Sequence, residues 1–130
     1  ASNKGVAQEI RKPKDVVAQF LYLADEPQEH FCALFLSTKN GILGRRTIHI
    51  GTVNASLVGP REVFREAVRI GAAAVIVAHN HPSGDPEPSP EDLEVTRTLK
   101  SAGELMDIPL LDHVIIGHNR HVSLKERRHL

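Results

Sequence analysis

Six small and branched apolar residues, Ala73 to Ala78, run without a break into His79-Asn80-His81-Pro82-Ser83-Gly84-Asp85-Pro86-Glu87-Pro88. An apolar run of that length, with nothing polar on either face, suits a strand covered on both sides of a sheet. The segment after it is too rich in Pro, Gly and Asp for regular structure. Ser89-Pro90-Glu91-Asp92 then carries a helix-start signature, with Ser at the N-cap, Pro at N1 and an acid at N3. A chain built around this unit needs helices on both faces of a sheet, with a polar loop leaving the strand end.

The rest of the chain supplies those parts. Pro13 and Asp15 open a helix over about 14–25, with Val16, Phe20 and Leu23 at helical spacing, ended before Pro27. His30 to Leu36 reads as an apolar strand, Lys39-Asn40-Gly41 as a hairpin turn, and Ile42 to Ile50 as the return strand. Pro60 opens a second helix whose apolar face is Val63, Phe64, Ala67, Val68 and Ile70, closed by Gly71. The third helix starts at Ser89 and buries Val95, Leu99, Ala102 and Met106. Leu110 to Ile116 and His121 to Leu124 form a last strand pair about the turn Gly117-His118-Asn119. The order α-β-β-α-β-α-β-β predicts one α/β domain over 13–130, a mixed central sheet flanked by helices, behind an N-terminal arm or linker over 1–12.

Composition narrows the function classes. The chain has 130 residues, a single-domain length, with formal net charge zero. Non-specific grip on nucleic acid usually needs a basic excess, so DNA binding is not supported by charge. Basic clusters at Arg11, Lys12 and Lys14, and at Lys125, Arg127 and Arg128, read as solvated ends. Cys32 is the single cysteine, so no disulfide forms within the chain. With no signal-peptide pattern and no apolar run long enough to cross a bilayer, the expectation is a cytoplasmic protein without membrane attachment.

Chemistry concentrates at the end of the buried strand. His79 and His81 are two residues apart, so in extended chain they project to the same side. Asp92, on the first turn of the next helix, lies close enough in sequence to complete a third ligand position. Two His and one carboxylate with an open fourth position is the ligand set of a catalytic zinc, although iron or manganese also suits it. The competing reading makes Ser89 and Asp92 a helix-capping pair with no other duty.

The spacing His79-x-His81, seven residues, Ser89, two residues, Asp92 resembles the JAMM motif of the JAB/MPN metalloprotease superfamily. The wider run HNHPSGDPEPSPED at 79–92 is similar to the RadC family, as are Gly51-Thr52-Val53-Asn54, Pro60-Arg61-Glu62 and Leu111-Asp112-His113. The resemblance covers about residues 13–130. It implies a JAB/MPN-like (cytidine-deaminase-like) fold, with Zn2+ held by His79, His81 and Asp92. It also implies that Ser89 bonds the substrate carbonyl or the tetrahedral oxyanion. Glu29, just ahead of the first core strand, matches the catalytic glutamate, and Glu26 is the second candidate. The implied activity is metal-assisted hydrolysis of a peptide or isopeptide bond in a peptide or protein substrate.

The chain also departs from the pattern. Asn80 stands where eukaryotic deubiquitinases carry Ser or Thr, and their ubiquitin-gripping insertion has no counterpart here, so ubiquitin itself is not the expected substrate. RadC proteins usually carry a helix-hairpin-helix-like region ahead of this domain, so a fragment or a short family member is expected. DNA repair enters only through the family name. The alternative function is a DNA- or protein-binding module whose metal site is structural or vestigial, and a metal-dependent nuclease is a third. Two further residues are candidates for supporting the ligands. Asp85 would orient the loop or a histidine, or merely serve a turn. His113 would approach the metal loop, or make a strand-edge hydrogen bond. His49, His30, His118, His121 and His129 are expected at the surface, and Cys32 as a buried inert thiol.

Overall fold

The computed structural model describes residues 9–130. Five strands, β1 (His30–Leu36), β2 (Ile42–Ile50), β3 (Ala74–Asn80), β4 (Leu110–Ile116) and β5 (His121–Ser123), form one sheet in the order β2-β1-β3-β4-β5. β1 pairs antiparallel with β2 and β3, β3 pairs parallel with β4, and β5 returns antiparallel on β4. The sheet is therefore mixed, as the order of elements predicts.

Alternation along β1 and β3 divides the core in two. Phe31, Ala33, Phe35, Val75 and Val77 face α2 (Pro60–Ile70) and α3 (Pro90–Met106), meeting Val63, Phe64, Ala67, Val95 and Leu99. Cys32, Leu34, Leu36, Ile76 and Ala78 face α1 (Pro13–Gln19), meeting Val16, Phe20 and Leu23. β3 is buried along its whole length, as its unbroken apolar run requires.

Several boundaries differ from expectation. The helix predicted over 14–25 stops at Gln19 and continues as a 3-10 turn over Leu21–Asp25. The Arg45 guanidinium donates to the Gln19 carbonyl at 2.6 Å, taking that acceptor, while the tighter turn still delivers Leu23 to the core. β3 begins one residue late and extends through Asn80, because His79 and Asn80 still pair with Ile115 and Ile116 of β4. On α2, Val68 is exposed. On α3, Met106 is exposed and the buried stripe runs Val95, Thr96, Leu99, Gly103. Gly103 explains that rotation: a Cβ there would lie 2.6 Å from the Ile108 carbonyl oxygen, so the helix end sits directly on backbone.

His49 is half-buried rather than exposed. The pairing shifts between Phe31–His49 and Cys32–Thr47, which leaves Ile48 as an extra residue and turns His49 inward. His30 is also largely covered, its Nε2 lying 3.4 Å from Glu26 Oε2. Of the arm expected over 1–12, the first eight residues lie outside the described part. Glu9 bridges to Gly41, and Ile10 is buried in the α1-side core.

Candidate metal centre

Four side chains from separate parts of the chain meet at the end of β3. Glu29 precedes β1, His79 and His81 leave β3, and Asp92 sits on the first turn of α3. One possible ligand atom from each lies within 4.8 Å of the others. His79 Nε2 is 3.2 Å from Asp92 Oδ1 and 3.9 Å from Glu29 Oε1, and His81 Nε2 is 2.9 Å from Asp92 Oδ2. His79 and Asp92 are buried, whereas Glu29 and His81 reach an open cleft of about 400 Å³ also lined by Thr52, Val53, Ser83 and Ser89.

The hydrogen bonds behind the imidazoles determine what the front nitrogens offer. The Thr96 hydroxyl donates its only hydrogen to the Asp92 carbonyl at 2.8 Å. It must therefore accept from His113 Nδ1, 2.7 Å away. Burial, followed by the neighbouring His79, pushes the His113 pKa well below its ordinary value, so this ring is neutral and Nε2 is its acceptor. His79 Nδ1, 2.8 Å from that Nε2, is then the donor. A neutral His79 is left with a lone pair on Nε2, a buried atom with no hydrogen-bond partner despite the nearby carboxylate. His81 follows the same logic: its Nδ1 is 2.9 Å from the Asp85 carbonyl oxygen, which can only accept. A neutral His81 therefore also presents a lone pair on Nε2.

Two imidazole lone pairs and a carboxylate aimed at one another repel unless a cation lies among them. Burial pushes the Asp92 carboxyl up, but an imidazole that carries a hydrogen on its front nitrogen donates to it, and with both rings so placed this outweighs burial and holds the carboxyl far below the usual carboxylate range. Burial lowers the His81 pKa, while the Asp92 carboxylate and the Asp85 carbonyl raise it further, so the net shift is upward. A proton on His81 and a metal ion are alternative solutions to the same crowding of acceptors. The donor set fits a divalent ion of zinc type, since each imidazole has its rear N–H fixed and turns its front nitrogen to the Asp92 carboxylate.

Asp92 serves cap and centre at once, its Oδ2 shared between the Ser89 N–H and His81 Nε2. Oδ2 accepts the Ser89 N–H at 2.9 Å, and Ser89 Oγ accepts the Asp92 N–H at 3.0 Å, a reciprocal capping box. Oδ1 faces His79. Ser89 Oγ is half-buried in the cleft, with its own hydrogen free to donate.

The other candidates fall into place around this centre. Asp85 supports His81 through its backbone carbonyl, while its exposed carboxylate accepts the Glu87 N–H within the loop. His113 is not among the four converging groups and lies directly behind His79. Glu26 is turned to His30 and away from the centre. The loop itself is pressed on the β4–β5 turn: a Cβ on Gly117 would stand 2.3 Å from the Gly84 carbonyl oxygen, and Gly84 has φ +91°. Thr96 escaped the sequence reading. Its signal was the spacing Asp92-x-x-x-Thr96, which puts both on one face of a helix. Cys32 is buried away from the site, and burial pushes its thiol up.

The sequence profile of a family described as the RadC-like JAB domain matches residues 10–129. A UPF0758 protein of Bacillus cereus (strain G9842) is 52% identical over 125 residues, covering 93% of this chain and 54% of that protein. UPF0758 proteins of Bacillus mycoides (strain KBAB4) and Bacillus anthracis (strain A0248) are each 51% identical over the same shares. The chain thus spans about half the length of the curated relatives it matches.

Proposed function

The chain belongs to the RadC-like JAB domain family, and on that premise we propose that it is a zinc-dependent hydrolase of peptide or isopeptide bonds. The observation that carries the reading is the pair of histidines whose rear nitrogens are both fixed as donors, leaving two lone pairs and Asp92 Oδ1 converging beside a free glutamate. His79, His81 and Asp92 would hold the ion. Bound there, it supplies Lewis-acid polarisation of a carbonyl oxygen and lowers the pKa of water to ~7 in favourable cases.

The chain's own residues do the rest. Glu29 stands at the cleft side of the centre, 28% exposed at its side chain, where it can take a proton from a cleft water and return it to the leaving amine. Ser89 Oγ accepts the Asp92 N–H, which leaves its hydrogen available to donate to a developing oxyanion. Among the described residues no Lys or Arg lines this cleft, which favours an uncharged amide over a phosphodiester.

The test is elemental analysis of protein purified without chelators, followed by a screen of peptide and isopeptide substrates. One zinc per chain, lost in His81→Ala, with cleavage abolished in Glu29→Gln while zinc stays bound, supports the reading. A wild type that takes up no zinc when it is added back would remove it and leave the binding-module alternative.

A further inference from the structure

Between the two histidines, Asn80 points to the opposite face of β3. It is 1% exposed, and its side chain is spent entirely on the segment that carries Glu29. Oδ1 accepts the His30 N–H at 2.7 Å, and Nδ2 donates to the carbonyls of Gln28 at 3.0 Å and Glu26 at 3.4 Å. These bonds bracket Glu29 on both sides. Backbone bonds add to them, from the Gly51 N–H to the Glu29 carbonyl at 2.8 Å and from the Glu26 N–H to the Leu23 carbonyl at 3.2 Å. The segment lies between a 3-10 turn and a strand and contains Pro27, so it has no helix or ladder of its own until His30. Its carbonyls at 26 and 28 depend on Asn80 instead.

We infer that Asn80 is a positioning residue, locking residues 26–30 to β3 so that the Glu29 carboxylate stands at a fixed place over the centre formed by its two neighbours in sequence. Strand alternation makes this economical: three consecutive residues send two side chains to the metal position and one to the base-bearing segment. A shorter side chain at 80 reaches one of these backbone groups at most. A base misplaced by about 1 Å is enough to cost ~10²-fold in rate. The inference rests on the hydrolase reading for its catalytic meaning, but the lock itself is testable without turnover.

The experiment compares wild type, Asn80→Ala and Asn80→Ser, the second variant serving if the first fails to fold. Three readings are taken: titration with cobalt(II) alone, amide hydrogen exchange, and the paramagnetic shift of the Glu29 amide in the cobalt-loaded protein. Expected are unchanged cobalt stoichiometry, exchange faster by ~10-fold or more at the amides of His30, which Asn80 holds directly, and of Gly51, which bonds the Glu29 carbonyl, and a moved Glu29 signal. With a cleaved substrate in hand, kcat falls ~10²-fold at unchanged KM, and Asn80→Ala adds nothing on a Glu29→Gln background. Unchanged exchange at His30, or faster exchange spread evenly over β1, β3 and β4, would overturn the proposal. If the wild type cleaves nothing, the hydrolase reading falls, while exchange and the cobalt shift still decide whether Asn80 holds Glu29.

Discussion

Thr96→Val removes one hydroxyl that touches neither the cleft nor the proposed ion, yet it should weaken metal binding. In the wild type, that hydroxyl is committed to the Asp92 carbonyl and forces His113 to carry its hydrogen on Nδ1. His113 Nε2 then takes the hydrogen of His79 Nδ1, and His79 Nε2 is bare. With valine at 96, the His113 Nδ1–H would be buried without an acceptor, at a cost of ~1–3 kcal/mol. The metal-free variant escapes by reversing both tautomers: His113 donates from Nε2, and His79 carries its hydrogen on Nε2, facing Asp92 Oδ1 at 3.2 Å. That arrangement blocks the nitrogen the ion needs and must be undone before binding. The affinity loss is bounded by the same ~1–3 kcal/mol, which is about 5- to 150-fold, in line with the ~10–100-fold typical of groups that orient a ligating histidine. Competition titration against a chromogenic zinc chelator reads it directly, with Thr96→Ser, which keeps the hydroxyl, as the control. Wild-type affinity in Thr96→Val would refute the tautomer argument, which requires His113 to lose the acceptor of its Nδ1 hydrogen.

Other consequences can be measured on the same protein. Metal affinity should be pH-dependent: the proton on His81, whose pKa is raised, must leave before an ion enters, so binding is full above that pKa and falls about tenfold per unit below it; a flat zinc titration between mildly acidic and neutral pH would contradict this. In chelator the same His81 stabilises the fold at low pH and loses that contribution as pH rises through its raised pKa, whereas Asp92 stabilises above the unfolded carboxylate range and loses it as pH falls, which urea midpoints across pH resolve. Ser89→Ala should cost ~0.5–2 kcal/mol in chelator by uncapping α3, with zinc stoichiometry kept and kcat lowered; intact stability would deny the cap. Gly117→Ala should lower the thermal midpoint and loosen the His81 loop, since its methyl meets the Gly84 carbonyl rather than a movable side chain, and an unchanged midpoint would show that the turn yields.

Much of this site was legible before folding because its signals are local. His79 and His81 share a side by strand alternation, and Ser89-Pro90-Glu91-Asp92 announces a helix start in any context. The mixed sheet with helices on both faces followed from an apolar strand between helical segments, and the family match agrees with that class. What stayed hidden depends on partners distant in sequence. Nothing near His113 says that Thr96 and His79 flank it, and the role of Asn80 appears only when β1 is laid beside β3. His49 was misplaced because a bulge inverts the alternation on which its exposure was judged. The helix over 14–25 was drawn too long because Arg45, from the far side of a hairpin, takes the Gln19 carbonyl.

The four converging groups come from the residue before β1, the end of β3 and the start of α3. Their supports cross the same joints, Asn80 reaching His30 across 50 positions and His79 reaching His113 across 34. No half-assembled chain can gather them, so an ion would bind the finished fold and no partial one. Such a ligand stabilises with the logarithm of its supply, by ~2.7 kcal/mol at a free concentration 100 times its Kd. The working lifetime of this protein would then follow the zinc status of its surroundings, and scarcity of the metal would be met by loss of the protein as well as by idle copies of it.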